Sequence, residues 1–288
     1  MSAVGYASSP VRRRSKTRRI KPTVANVVLL AIAILMLLPV GWLVIQSLLG
    51  TGSALRVPPV WVPTHPTTAN YRQVDQLIPF FTFLWNSVKI TLIVTTGAVA
   101  TSALAAYAFA KLEFPGKNLL FIVLLCAIMV PNQVTAAPTY VLMHRLGLST
   151  SQVAVWLPGL VNVFGIFLLR QFFRGIPKEL EEAGRLDGLS TMGVLFRIVL
   201  PLSKHALAAL AILVGSATWN DYFWPSIYLT DRHEMTLPVG LITLYGLYHQ
   251  GSPVVIFAAI SMTVVPLLVV FLFAQRAMTE SLTMTGFK

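Results

Sequence analysis

The residues best suited to chemistry lie in a polar segment between long apolar runs, residues 177–201. Four of the ten carboxylates in the chain fall within nine of its positions: Glu179, Glu181, Glu182 and Asp187. Pro177 fits the first position of a helix, where its missing N–H costs nothing, and the acids near it face the positive end of the helix dipole. Gly188 fits the end of that helix, and a second short helix is expected to end near Leu200 and Pro201. The segment predicts a surface that binds another protein, although a merely capped surface helix would carry the same acids.

One face of this first helix is the predicted contact surface. Leu180, Ala183 and Asp187 follow each other at i, i+3 and i+7, and Gly184 lies beside them. The small side chains at 183 and 184 would let another backbone approach closely. We therefore predict contact through Leu180, Ala183 and Gly184, with the carboxylates, Glu182 among them, at the rim of that surface.

A second group of polar residues, Trp219, Asn220 and Asp221, ends an apolar run. An aromatic face with amide and carboxylate acceptors suits a sugar, and intramembrane acids usually face a cavity or a partner. The group therefore predicts a lining for a solute path. The alternative is that Asp221 lies at the membrane interface among belt aromatics.

The elements that must position these residues are membrane helices. The chain is 56% hydrophobic and 11% charged, against about 25% charged residues in soluble domains. Its net charge of +12 gathers largely in a basic tail, because seven cations lie within residues 1–21. No basic domain with interleaved aromatics follows, which argues against a nucleic-acid partner. The single cysteine, Cys126, excludes a disulfide framework and a cysteine metal site.

We predict an all-α membrane protein with six transmembrane helices, each apolar run being about the length that a bilayer requires. Residues 1–22 are expected to form a disordered tail, 23–280 the membrane domain and 281–288 a second tail. Pro39, Pro131, Pro158 and Pro266 are interpreted as kinks that bend the spans for packing. The predicted spans are 24–49, 84–110, 118–143, the run from the loop 144–151 to about residue 170, 205–229 and 253–275.

The distribution of cations sets the orientation. With the N-terminus inside, 17 of the 22 lysines and arginines fall on the cytoplasmic side. The positive-inside rule then places both termini and the segment 177–201 in the cytoplasm.

The spacing within this segment resembles a known family. Glu182-Ala183-Gly184, then Gly188, then nine residues to Ile198-Val199-Leu200-Pro201 is similar to the cytoplasmic "EAA" loop of ABC importer permeases, with Gly184 in place of the second alanine. Further motifs resemble the carbohydrate-uptake, MalG-like branch of that family. These are 181–187 (EEAGRLD), Trp219-Asn220-Asp221, Thr236-Leu237-Pro238, Pro63 with Asn70-Tyr71, and loosely the terminal Gly286-Phe287-Lys288.

The resemblance implies a type I importer permease fold and a loop, 175–204, that docks into a groove on a cytoplasmic ATPase. Its implied coupling residues are Leu180, Glu182, Ala183, Gly184, Asp187, Gly188, Leu200 and Pro201. The implied partners are a second permease subunit forming a heterodimer, two ATPase subunits, an extracytoplasmic solute-binding lipoprotein and membrane lipid. The chain itself has no phosphate loop, because Gly116-Lys117 lacks the required glycine before it and is followed by Asn118. ATP and Mg²⁺ are thus expected in the partner ATPase, and no cofactor in this chain.

The sequence therefore predicts a translocation subunit and not an enzyme, for a di- or oligosaccharide or a glycerol-phosphate-type solute. An ion-coupled secondary carrier is the alternative. It would be expected to bury several ionisable residues and to show inverted repeats, and Asp221 alone offers little support for that.

Overall fold

The computed structural model describes residues 22–50, 60–63, 65–247 and 252–284, with side chains described for 24–50, 60–63, 65–246 and 252–269. Within those ranges the chain forms helices and turns and contains no strand. The predicted basic tail and the terminal motif 286–288 lie outside the described residues. The helices are α1 (Pro22–Ser47), α2 (Ala69–Leu77), α3 (Phe80–Lys111), α4 (Lys117–Ile128), α5 (Ala136–Arg145), α6 (Gln152–Gly159), α7 (Val163–Arg174), α8 (Lys178–Leu186), α9 (Thr191–Val194), α10 (Leu200–Leu202), α11 (Lys204–Trp219), α12 (Phe223–Tyr228), α13 (Leu237–Leu247) and α14 (Pro253–Met284).

Several helices are long and apolar enough to cross a membrane. Three pass by length and composition, over Val24–Ser47, Phe80–Lys111 and Gln152–Arg174. A fourth is bent by 79° between the segments Thr191–Leu202 and Lys204–Tyr228. Many large apolar side chains on these helices are exposed, among them Leu35, Met36 and Leu37 of α1. Exposed apolar surface on this scale is what a lipid solvent requires, so the helical membrane architecture predicted from composition is confirmed.

Helix α3 lies at the centre of the fold. It packs against α6, α7 and α11, and its buried residues include Ile90, Val94 and Tyr107. The approach of α7 to α3 and α11 depends on Gly165, because a Cβ there would lie 2.6 Å from Ser102 Oγ and 3.0 Å from Leu210 Cδ1. Small residues that let helices approach closely are typical of membrane interfaces.

A second core joins α1, α2, α13 and α14. Asn70 Nδ2 donates to the carbonyls of Ser47 and Leu49, each at 2.8 Å, and so satisfies carbonyls at the end of α1. The Tyr71 hydroxyl lies 2.6 Å from Ser47 Oγ. The Asn70-Tyr71 motif therefore fastens α2 to the end of the first span.

Three predicted spans are interrupted rather than continuous. The third, expected over 118–143, divides into α4 and α5, separated by residues 129–135. Pro131 accounts for this break, since proline lacks an N–H and disfavours a helical residue before it. The fourth span breaks at residues 160–162, just after Pro158, and resumes where Asn162 Oδ1 accepts from Gly165 N at 2.6 Å.

The fifth and sixth spans also differ from expectation. The fifth, expected over 205–229, divides into α11 and α12 at residues 220–222. The sixth begins at the expected position, but α14 continues to Met284. The first four residues of the predicted tail 281–288 are therefore helical, because nothing in that stretch interrupts the helix.

Candidate coupling loop and membrane cavity

Helix α8 ends where the sequence predicts and begins one residue later than predicted. Pro177 precedes the first helical residue with an extended ψ of 136°, so it is the cap and not the first helical position that we predicted. Gly188 has φ of 83°, a left-handed conformation that favours glycine. Leu189 N then donates to Gly184 O at 2.9 Å. The predicted helix stop at Gly188 is confirmed.

One side of α8 is held against the membrane helices by an ion pair. Lys111 Nζ, at the end of α3, lies 2.5 Å from Glu181 Oε1, and the two side chains are only 5% and 8% exposed. Lys111 Nζ also donates to Ile176 O at 2.7 Å. A buried charge is tolerated when it is paired and hydrogen-bonded. The pair therefore fixes α8 to the end of the central helix.

Gly184 belongs to this inward side, which corrects the predicted contact face. A Cβ at Gly184 would lie 2.5 Å from Ile198 Cδ1 and 3.2 Å from Leu189 Cδ1. The small residue thus admits side chains of the second loop helix and is not available to an external backbone. The prediction of Gly184 as an exposed contact residue was wrong because its packing partner lies in the next helix.

The opposite side of α8 is open and presents the stripe Glu179, Glu182, Ala183 and Leu186, at i, i+3, i+4 and i+7. Leu186 is 90% exposed, an unusual degree of exposure for a leucine. Leu180 beside the stripe is 45% exposed, and Asp187 at the helix end is also exposed. We call Glu179, Glu182, Ala183 and Leu186 the outward stripe.

The second part of the loop is one helical run with a wide turn inside it. Ser190 Oγ accepts from Gly193 N at 3.2 Å and caps α9. Residues Leu195–Val199 then form a π-helical turn, and the run ends with α10. Leu200 is half-buried and Pro201 exposed, so this part of the predicted motif lies partly in the core.

A basic cleft of about 810 Å³ separates α8 from the turn between α3 and α4. The Arg170 guanidinium lies 3.8 Å from the centre of the Phe121 ring, and its Nε donates to Phe109 O at 3.2 Å. Three acids line the cleft, Glu113, Glu181 and Glu182. Six cations outnumber them: Lys111, Lys117, Arg170, Arg174, Lys178 and Arg185.

A second cavity, of about 530 Å³, lies where interrupted helices meet. It is bordered by residues from the break between α4 and α5, from the break between α6 and α7, and from the end of α11 with the start of α12. Val94, near the middle of α3, lines it as well, which places it at mid-depth along that helix. Helix interruptions at membrane depth are tolerated where they line a cavity or are buried in protein. We call this space the central cavity.

The described lining of the central cavity is polar in places but uncharged. Its hydrogen-bonding side chains are Asn132, Thr135, Thr139, Asn162, Thr218 and Trp224. The remaining lining residues are apolar or glycine, and none of the described lining residues is Asp, Glu, Lys, Arg or His.

The three predicted solute-path residues lie beside this cavity and do not line it. Trp219 packs against the second core, and the exposed Asn220 donates its Nδ2 to Ser216 O at 2.8 Å. Asp221 Oδ1 accepts from Phe223 N at 2.9 Å and from Trp224 N at 3.4 Å. Its carboxylate therefore fixes the start of α12, and with it the position of Trp224.

Trp224 is backed by a column of stacked rings. Its ring is nearly parallel to that of Tyr228, with centroids 6.1 Å apart and planes 9° apart. Tyr228 stacks on Tyr140 at 5.9 Å, and Tyr140 on His144 at 6.3 Å. Such a column limits the rotation of the Trp224 ring at the cavity wall.

Comparison with known proteins decides the family. Residues 98–282 match the model of the binding-protein-dependent transport system inner membrane component family. The chain belongs to this family. The permease is thus a multi-pass membrane protein and a transport component, as its motifs predicted.

Named relatives agree with this assignment. The permease is 36% identical over 209 residues, 73% of its length, to the arabinooligosaccharides transport system permease protein AraQ of Halalkalibacterium halodurans, which is covered to 75%. It is 32% identical over 255 residues to the sn-glycerol-3-phosphate transport system permease protein UgpE of Pectobacterium atrosepticum, with coverage of 85% and 89%.

A solved structure shares the fold. It is a chain of a crystal structure of a bacterial ABC transporter involved in the import of the acidic polysaccharide alginate. The TM-score is 0.76 at 24% identity, and the match covers 93% of the permease and 99% of that chain. This likeness supports the predicted importer permease fold.

Several residues of the permease's two candidate sites were missed by sequence reasoning. Lys111 and Glu181 are 70 positions apart, and no local signal pairs them. Leu186 could have been found as the apolar member of a stripe running through Glu182. The spacing between Asp221 and Trp224 could have indicated a short helix that Asp221 caps and that contains Trp224, since an acid three residues before a helical N–H is a common cap.

Proposed function

We propose that this chain is the membrane-spanning permease subunit of an ATP-driven, binding-protein-dependent importer for a sugar or sugar-like solute. The family assignment supports a transport subunit, and the relatives named for arabinooligosaccharides and glycerol phosphate support a carbohydrate-type solute. The loop that contains α8–α10 receives the movement of the ATPases, and the central cavity forms part of the solute path.

The proposed topology has six spans with both termini in the cytoplasm and a membrane domain over 23–280. The cations of the basic cleft support this orientation, because they gather at the same end of the helices as α8. The loop would then face a cytoplasmic ATPase. Residues 1–22 and the end of the chain would be cytoplasmic tails.

The observation that carries the proposal is that α8 has one anchored and one open side. Glu181 and Gly184 attach it to α3 and to the second loop helix, while the outward stripe presents Glu182, Ala183 and Leu186 to solvent. A helix held in this way moves with the element it is fixed to. ATPase closure against the stripe would therefore displace α3 and, through α10, the fifth span.

The partners follow from this assignment. A second permease subunit completes the translocation unit as a heterodimer, two ATPase subunits bind ATP and Mg²⁺, and an extracytoplasmic binding protein delivers the solute. Further residues of the loop contribute to the contact with the ATPase. Gly188 turns the chain at the end of α8, and four residues lie at or near the exposed side of the loop: Leu180, Asp187, Leu200 and Pro201.

The central cavity argues against the alternative of an ion-coupled carrier. Such carriers use ionisable groups at a midplane site. The described lining of the cavity has none. Asp221, the acid nearest in sequence to the lining, is engaged as a helix cap.

The proposal is tested by reconstituting the permease with its partners in liposomes and measuring uptake and ATP hydrolysis together. We expect Glu182→Lys and Leu186→Asp to lower solute uptake at least tenfold and to abolish solute-stimulated ATP hydrolysis, while the subunit still inserts and purifies with its partner permease. Glu113→Lys, the same charge reversal at an exposed residue that lines the cleft from the turn between α3 and α4, is the matched control and should retain most uptake. Normal solute-stimulated hydrolysis in both stripe variants would refute docking through the stripe.

A further inference from the structure

The described lining of the central cavity is polar but uncharged, and this bears on the charge of the solute that the cavity can bind. Polar groups line it from three interrupted helices, yet none of its described lining residues carries a charge. An anion moved into a membrane protein needs a counter-charge or a set of aimed donors, because leaving water without them costs many kcal/mol. Anion sites in membrane transporters accordingly use cations or free N–H groups at converging helix N-termini. Three helices start at this cavity, but N–H groups at their starts are already engaged: Ala136 N donates to Gln133 O, Gly165 N to Asn162 Oδ1 and Phe223 N to Asp221 Oδ1.

Neutral donors and acceptors with an aromatic ring form a different kind of site. Threonine hydroxyls and asparagine amides can both donate and accept, as sugar hydroxyls do. Thr139 and Thr218 supply hydroxyls to the cavity, and Asn162 offers its Nδ2 because its Oδ1 accepts from Gly165 N. Such a lining can exchange the hydration of a polyol for hydrogen bonds without any charge.

Trp224 provides a flat apolar surface within the same cavity. Tyr228 stacks on it in parallel and Phe223 packs against it edge-on, with centroids 5.2 Å apart, so its orientation is set before any solute arrives. The Asp221 cap fixes the backbone beneath it. A pre-ordered ring loses little entropy on binding, which favours its use as a platform for the C–H face of a sugar ring.

We propose that the central cavity admits an uncharged saccharide, with one sugar ring stacked on Trp224, and disfavours phosphorylated or uronic solutes. This inference rests on the proposed function, because it assumes that the cavity lies on the transport path. The inference groups the permease by solute with the relative named for a neutral oligosaccharide, and not with the relative named for a phosphate ester.

The test uses the complete reconstituted transporter with its cognate binding protein. Uptake is measured for arabinotriose and maltotriose as neutral probes, and for sn-glycerol-3-phosphate and a trigalacturonate as anionic probes. Each probe is also titrated against the binding protein by its thermal shift. We expect at least one neutral trisaccharide to bind and to be transported, with uptake of both anions at least tenfold lower.

A variant arm tests the role of the ring. Trp224→Ala should lower uptake of the neutral probe about tenfold at subsaturating concentration, while Trp224→Phe retains most of it. Trp85→Ala, which removes an indole that is 65% exposed on α3, is the matched control and should transport normally. Preferential uptake of an anion, or wild-type uptake by Trp224→Ala, would overturn the inference while leaving an active importer. The absence of ATP-dependent uptake of all four probes, with no response of the binding protein, would instead count against the proposed function.

Discussion

At the scale of residues, Lys111 and Glu181 form the contact on which the loop depends. Their charges are 2.5 Å apart and almost fully buried, and Lys111 is also bonded to the Ile176 carbonyl just before α8. A pair of this kind contributes to position more than to stability, because desolvation of both ions offsets much of their attraction. Its value to the permease is that it ties α8 to the end of α3.

This view predicts the outcome of a double-mutant cycle. Glu181→Gln leaves the Lys111 ammonium buried without its partner, so we expect it to destabilise the complex by about 3 kcal/mol and to lower uptake. Lys111→Met should have a similar cost. The double variant Lys111→Met/Glu181→Leu replaces the pair by apolar groups and should recover most of the thermal stability, measured by unfolding in detergent. Additive losses in the double variant would show that the two residues act independently.

The residue scale also shows what sequence could and could not establish. Gly188 and Pro177 act through their own backbone preferences, so both ends of α8 were predictable to within a residue. The face of the helix was not, since it is decided by Lys111, far away in the chain, and by Ile198 against Gly184. Local rules place the ends of an element, whereas long-range packing decides which side is free.

At the scale of elements, the breaks in the membrane helices are the informative feature. Each predicted span contained polar or proline residues in its interior, such as Pro131, Asn162 and Asp221. Periodicity alone indicated one apolar run in each case, and only the structure brings the breaks together at a single cavity. The spans were therefore predictable as elements, and their interruptions were predictable only as kinks.

Asp221 acts at this scale by starting α12. We predict that Asp221→Ala removes the acceptor for Phe223 N and Trp224 N, shifts the short helix at a cost of about 1 kcal/mol and lowers uptake severalfold with little effect on assembly. Asp221→Asn, which retains a capping oxygen, is the matched control. Uptake kinetics and the yield of assembled complex are measured side by side. Wild-type uptake by Asp221→Ala would place the carboxylate outside the transport path.

At the scale of the whole molecule, two sites lie at different depths of one helical scaffold. α3 runs between them: Lys111 at its end holds α8, and Val94 near its middle lines the central cavity. A displacement of α8 can thus reach the cavity along a single rigid helix packed against α7 and α11. This arrangement links the proposed ATPase contact to the proposed solute path without further intermediates.

The most direct measurement of the central claim is photo-crosslinking from the outward stripe to the ATPase. In a Cys126→Ser background, Leu186→Cys is labelled with a benzophenone maleimide before the ATPase subunits are added, and the assembled transporter is then irradiated. We expect a crosslink to the ATPase subunit, since Leu186 is 90% exposed on this chain, and no such product when the ATPase is left out before irradiation. Val194→Cys, buried in the same loop, is the control and should give none. Crosslinks from Leu186→Cys to lipid alone, with the ATPase present and active, would contradict the account.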